Sequence, residues 1–220
     1  SWAGLRPLIH EEEKDPSALS RKDEIFESDS GLISIAGGKL TGYRKMAQRV
    51  NEVVIKRLKE KHVQNLEPSR TEHIPLTSYP LRNTEEVQDY RSKLHLLLEG
   101  MGVEDAEYKA WYLVTTYGKQ AEIIKNKINY FLNPDVNDRL IRAELWYCIQ
   151  YEMANGLVDF FVRRTGRLYF DITTVQRYRQ LVLEDFINAL DWDEARVAHE
   201  NEMLDQHVQD AQNFYEEEFA

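Results

Sequence analysis

The sequence predicts an α+β chain, a short strand-and-helix segment followed by an all-α domain. A β-branched apolar run at Leu32, Ile33 and Ile35 breaks at Gly37-Gly38 and restarts as an amphipathic pattern. A polar stretch punctuated by Pro68, Pro75 and Pro80 follows. Beyond it, apolar residues recur at helical spacing almost to the end, with no strand pattern between them. The expected division is therefore residues 1–60, a linker over 61–82, and a helical domain over 83–220.

Residues 2–9 read as a strand interrupted at Arg6-Pro7; proline cannot donate to a ladder, so Pro7 belongs at an edge or strand end. Arg6 is either the snorkelling end of a surface strand or an arginine turned into a site, because arginine in an apolar run is costly unless paired. Residues 10–20 are polar, carry Asp15-Pro16 and read as a surface loop. Residues 21–26 read as a short strand, and Ser28-Asp29-Ser30-Gly31 as the turn of a hairpin into Leu32. Taken alone, Arg21 is a solvated charge. After the glycine pair, Met46, Val50, Val53, Val54 and Leu58 predict a helix over about residues 41–59, with Thr41 as its N-cap.

In the helical part, Thr84-Glu85-Glu86 opens a helix that stops at Gly100, and a second runs over residues 105–117 to Gly118. Further helices are expected over 119–129, 137–151, 153–164, 173–189 and 193–214, the break near Asn155-Gly156 being weak or absent. This pattern predicts a small all-α domain.

A net charge of -10 argues against a general nucleic-acid-binding surface. The single cysteine, Cys148, leaves no internal disulfide; flanked by Trp146, Tyr147 and Ile149, it reads as a buried core thiol. No Cys/His cluster has zinc-site spacing, no run of about twenty apolar residues is present, and no signal peptide is legible. A cytoplasmic protein is expected. The opening Ser1-Trp2-Ala3-Gly4-Leu5 looks like the middle of a domain, so a fragment is expected too.

Gly37-Gly38-Lys39 carries the strongest local chemistry. A helix beginning just after glycines offers backbone N–H groups and the positive end of its dipole, and Lys39 adds a full charge. An anion site and a plain strand-to-helix turn are both consistent with it. Glu144, Glu152 and Asp159 could be paired carboxylates; the simpler reading makes them surface or interface partners of Arg142, Arg163 and Arg164. His62, His73, His95, His199 and His207 have no fixed neighbour and read as structural or solvated. Trp111, Tyr112, Tyr117, Trp146, Tyr147, Tyr151, Phe160 and Phe161 follow helical faces and read as core before ligand cage.

Three stretches then line up in order: Ser1-Trp2-Ala3-Gly4-Leu5-Arg6-Pro7-Leu8, Leu19-Ser20-Arg21-Lys22-Asp23, and Ile35-Ala36-Gly37-Gly38-Lys39-Leu40-Thr41-Gly42-Tyr43-Arg44-Lys45-Met46-Ala47. Together they closely resemble the C-terminal part of the FAD-dependent (aerobic) glycerol-3-phosphate dehydrogenases. Ala143-Glu144-Leu145, Glu152-Met153-Ala154 and the stretch from Asp159 to Thr165 extend the resemblance into the helical domain. It implies that residues 1–60 are the end of an FAD- and substrate-binding domain. It also implies an intact protein that oxidises sn-glycerol 3-phosphate to dihydroxyacetone phosphate by hydride transfer to FAD, with electrons passing to a quinone. Arg6, Arg21 and Lys39 would line the substrate pocket, Lys39 also serving catalysis. Gly37, Gly38, Lys39, Leu40 and Thr41 would contact the flavin. The dinucleotide fingerprint and the catalytic base are expected outside this chain, so alone it should be inactive and hold FAD weakly or not at all. The short loop over residues 10–20, where related glycerophosphate oxidases carry a long insertion, favours a dehydrogenase. A homodimer and peripheral association with the inner face of the plasma membrane are further implied expectations. The competing reading is a non-catalytic helical module for dimerisation or docking.

Overall fold

The computed structural model describes residues 23–63, 65–77 and 79–213. The chain divides into two compact units, Ser1–Leu76 and Thr77–Ala220. The expected strand at residues 2–9, the loop at 10–20, Arg6 and Arg21 lie outside the described residues.

In the first unit, β1 (Asp23–Glu27) and β2 (Ile33–Gly37) form an antiparallel hairpin, with Asp23 opposite Gly37, Ile25 opposite Ile35 and Glu27 opposite Ile33. The predicted turn closes it: the Gly31 N–H donates to the Ser28 carbonyl at 2.9 Å, with Gly31 at φ +88°. Ile25, Ile33 and Ile35 are half-buried, while Glu24, Phe26, Ser34 and Ala36 between them are exposed, the period-two signature of a strand with one covered face. Helix α1 (Tyr43–Glu60) follows, and Met46, Val50, Val53, Val54 and Leu58 form its half-buried stripe as their spacing predicts. Arg49 pairs with Asp23 and Arg57 with Glu27, while Arg57 also donates to the Gly31 carbonyl at 2.8 Å, so α1 grips both ends of the hairpin.

Thr41 is not the N-cap of α1. Leu40–Gly42 form a single 3₁₀ turn closed by the Gly42 N–H on the Lys39 carbonyl at 2.8 Å, and the α-helix starts after Gly42 with no side-chain cap. The tight turn advances the chain before α-helical bonding begins, carrying Thr41 into the turn and away from the free N–H groups.

The second unit is helical throughout its regular elements: α2 (Thr84–Gly100), α3 (Ala106–Tyr117), α4 (Ala121–Ile128), α5 (Val136–Glu152), a π turn (Asp159–Arg164), α6 (Arg167–Phe170), α7 (Ile172–Leu190) and α8 (Glu194–Gln212). α2 is capped by Asn83, one residue before the expected Thr84: its side chain accepts the Glu86 N–H at 2.8 Å, and the Glu86 carboxylate accepts the Arg82 N–H at 3.1 Å. Asp135, Asp171 and Asp193 cap α5, α7 and α8 in the same manner.

α5 is the spine of this unit. Leu140, Ala143 and Tyr147 belong to a core shared with α2, α3 and α4, whereas Ile141, Leu145 and Cys148 belong to a second core with Phe160, Phe161, Val182, Phe186 and Leu204. A helix buried on two faces needs apolar residues at consecutive positions, which explains the pairs 140/141 and 147/148.

The break after α5 is definite. Met153 adopts φ 56°, the left-handed conformation that ends a helix, and the Ala154 N–H closes on the Cys148 carbonyl at 3.0 Å. The chain restarts at Leu157, whose N–H donates at 2.8 Å to Glu200, a carboxylate reaching over from α8. A side chain at Gly156 would disturb this contact: a Cβ would lie 2.5 Å from the Glu200 carboxylate, which would have to shift. Among the described residues, no helix is long and apolar enough to cross a membrane.

Candidate functional site

Strand β2 delivers the site. Gly37 and Gly38 turn the chain at φ +78° and +83°, a region that residues with a side chain rarely adopt. A Cβ on Gly38 would stand 2.7 Å from the Met46 sulfur and 3.3 Å from the Asp23 Cβ, so hairpin and helix close over this point only because it is glycine. Lys39 then emerges in extended conformation, φ −112° and ψ 145°, and is exposed. Its ammonium makes no hydrogen bond or ion pair among the described residues, in contrast to Arg44, Arg49 and Arg57 on α1.

The 3₁₀ turn takes the Gly42 and Tyr43 N–H groups onto the Lys39 and Leu40 carbonyls, but the first turn of α1 has no acidic residue and no capping side chain, so no side-chain charge answers its dipole close to Lys39 in sequence. Leu40 and Thr41 are exposed on the 3₁₀ turn. The structure thus brings Gly37, Gly38, Lys39, Leu40 and Thr41 into one turn with bare backbone and a free positive charge. That arrangement can receive an anion or a polarised carbonyl oxygen, and exposed Gly37, with no side chain, leaves the main chain open to a planar group.

The carboxylates of the helical unit depart from expectation. Asp159 does pair with Arg163, at 2.6 Å, and Arg164 donates twice to the Glu152 carbonyl, at 2.9 and 2.7 Å. Arg142, however, pairs with Asp185, and Glu144 is no surface residue: it is 1% exposed. One Glu144 oxygen accepts from Tyr112 at 2.7 Å and Tyr117 at 2.8 Å, and the other accepts from Arg167 at 2.6 Å. Burial and then the Glu144 charge push both tyrosine hydroxyls far above their ordinary range. Burial opposes the charge on Arg167, but Glu144 beside it outweighs that and raises its pKa. Burial likewise pushes the Cys148 thiol up, and it lies 3.7 Å from the Tyr117 hydroxyl, a core thiol as expected.

Arg167 carried no signal in the sequence; α6, the one-turn helix that holds it, has too few residues to show a period. Its neighbours Gly166, at φ +64°, and Asp171 punctuate that turn and are the local cues available. Trp111 and Tyr151 correct the aromatic reading as well: they stand 45% and 56% exposed, while Tyr117, Tyr147, Phe160 and Phe161 are buried.

Residues 35–197 match the family described as the C-terminal domain of alpha-glycerophosphate oxidase. The aerobic glycerol-3-phosphate dehydrogenase of Bacillus subtilis is 40% identical over 214 residues, 96% of this chain and 38% of that protein. The enzyme of the same name from Staphylococcus aureus strain USA300 is 37% identical, over 97% of this chain and 38% of its own length. A solved glycerol-3-phosphate dehydrogenase from Bacillus halodurans, complexed with FAD, superposes with a TM-score of 0.71 at 31% identity, covering 88% of this chain and 39% of that one. The chain therefore spans about 38% of the length of the curated relatives it matches.

Proposed function

The chain belongs to the family of the C-terminal domain of alpha-glycerophosphate oxidase, and from that premise we propose that it is the C-terminal part of a flavoprotein that oxidises sn-glycerol 3-phosphate to dihydroxyacetone phosphate. The first unit is then the end of an FAD- and substrate-binding domain, and Thr77–Ala220 a helical domain appended to it. The observation that carries this reading is Lys39: an exposed, unpaired ammonium directly after a left-handed glycine pair, within the residues that match the family.

The turn fits a flavin. Gly37 carries no side chain to hold off a planar ring, Gly38 lets the chain turn sharply beside it, and the exposed main chain from Lys39 to Thr41 can hydrogen-bond its polar edge. Bound FAD would supply the two-electron chemistry, accepting the substrate C2 hydride and passing electrons to a quinone. Lys39 holds positive charge where negative charge grows during that transfer, which is its catalytic role. Arg6 and Arg21 join Lys39 around the phosphate, since guanidinium forks match a phosphate dianion bidentately. The base that takes the hydroxyl proton is assigned to the rest of the protein, and the chain alone is inactive.

In the full-length protein, Lys39→Ala should lower the rate at which glycerol 3-phosphate bleaches the flavin under anaerobic conditions by about 10²-fold or more. An unchanged rate overturns the site assignment. Because the family takes its description from an oxidase whereas the relatives are named dehydrogenases, the acceptor needs its own assay: quinone reduction without peroxide release supports the dehydrogenase, and stoichiometric peroxide supports the oxidase.

A further inference from the structure

The helical unit holds a cavity of about 180 Å³ that the catalytic reading does not use. Aromatic rings of Trp111, Tyr112 and Phe170 stand along its wall, and Trp111 and Phe170 are exposed at 45% and 82%. Arg167, whose guanidinium lies over the Tyr112 and Phe160 rings, Tyr178 and Lys109 line the same space, each with a side-chain polar group that makes no hydrogen bond among the described residues. The Arg167 Nη1 is fully buried and makes no hydrogen bond, although its sister nitrogen is held by Glu144. The Tyr178 hydroxyl is buried and orphaned as well. The ammonium of Lys109, half-buried at the same wall, makes no hydrogen bond or ion pair among the described residues.

Leaving a buried guanidinium nitrogen and a buried hydroxyl unsatisfied is costly, and an acceptor entering the cavity that Arg167 and Tyr178 line offers such a group a partner. The carboxylates that border the space do not compete for that role. Glu144 is occupied by three donors, and Asp171 is occupied capping α7, accepting from the hydroxyls of Thr173 and Thr174 and from the Thr174 N–H. Burial lowers the pKa of Lys109, Glu104 and Asp105 opposing that and Arg167 adding to it; neither of those carboxylates lines the cavity, so a negative charge between Lys109 and Arg167 is favoured there.

We propose that this cavity is a binding site for a small aromatic carboxylate, its ring against Trp111, Tyr112 and Phe170 and its carboxylate on Arg167 and Lys109. The volume suits one ring with a small substituent, since cavities of roughly 150 Å³ take up benzene. A bare inorganic anion would leave the aromatic wall unused, a neutral ring would leave the two cations unanswered, and a cation would be repelled by them. The inference stands apart from the flavin reading, because all the residues it uses lie in the helical unit.

Titration of the full-length protein with benzoate, followed by ligand-observed NMR and calorimetry, tests it. Expected are saturable one-to-one binding, loss of at least about tenfold in affinity with the neutral isostere benzamide, and a similar loss in Lys109→Met. Trp111→Ala, which removes an exposed ring and no charge, should weaken benzoate and benzamide alike, and provides a second readout should Lys109→Met fold poorly. No saturation by about 10 mM benzoate, a weak affinity even for a ligand of this size, overturns the proposal. So does benzamide binding as tightly as benzoate, or inorganic phosphate displacing benzoate at equal concentration.

Discussion

The buried apolar side chains among the described residues all lie between Leu94 and Leu204, whereas Ile25, Ile35, Val50 and Val54 in the hairpin and its helix are only half-buried. Two strands and one helix cannot surround an apolar side chain on every side; the helical layers around α5 can. The consequence extends to charge. In the helical unit the Glu144–Arg167 pair is removed from water and bound into a network with two tyrosines. In the first unit Arg49–Asp23 and Arg57–Glu27 sit in partial contact with solvent, and Lys39 has no partner among the described residues. Buried charges hold structure and are consumed by it, while solvated charges contribute little to folding and remain free to meet a ligand.

The comparison breaks most visibly at Arg167. Arg167→Leu strands the Glu144 carboxylate in the core, and chemical denaturation followed by far-UV circular dichroism should show a loss of about 3–5 kcal/mol. A loss near that of a surface pair would mean the network is not dry. Gly156→Ala comes next: its Cβ would displace the Glu200 carboxylate from the Leu157 N–H, at an expected cost of about 1–3 kcal/mol by the same measurement.

Asp171→Ala removes the cap of α7 and should cost about 1 kcal/mol at neutral pH. This effect depends on pH. Burial alone would raise the Asp171 pKa, but bonds from Thr174 and Thr173 outweigh it and hold the carboxyl below its ordinary value. A carboxylate whose folded pKa is depressed stabilises above its unfolded pKa and loses that contribution as pH falls through the folded one. The gap between Asp171→Ala and the parent should therefore shrink below about pH 4, visible in melting curves across pH. Smallest is Lys39→Ala, where an exposed side chain without a partner predicts a melting midpoint shift corresponding to less than about 0.5 kcal/mol, against a large loss of turnover. A stability loss comparable to that of Arg167→Leu would erase the distinction between the two regions.

Local chemistry made much of this molecule legible in advance. The hairpin was readable from Ser28 to Gly31, the glycine turn from Gly37-Gly38, and α3, α4, α5, α7 and α8 from apolar periods closed by caps and glycines. The errors cluster at helix starts and in short elements. Thr41 and Thr84 looked like caps because threonine is a good one, but a 3₁₀ turn and the adjacent Asn83 took those places. α6 spans a single turn and has no period to read.

By itself, then, the sequence determined the order and kind of most elements, the buried thiol, and the bare glycine–lysine turn, because each of these depends on neighbours within a few residues. Only the tertiary structure decided which charge meets which. Glu144 sits on a helix with arginines nearby in sequence, and nothing in its spacing distinguishes a solvated face from the seam between two cores. Packing α3, α5 and α6 together brought Tyr112, Tyr117 and Arg167 onto it. Once water was excluded there, the full pairing of that carboxylate became obligatory, and the nitrogen of Arg167 left over from it became the unsatisfied group of the adjoining cavity.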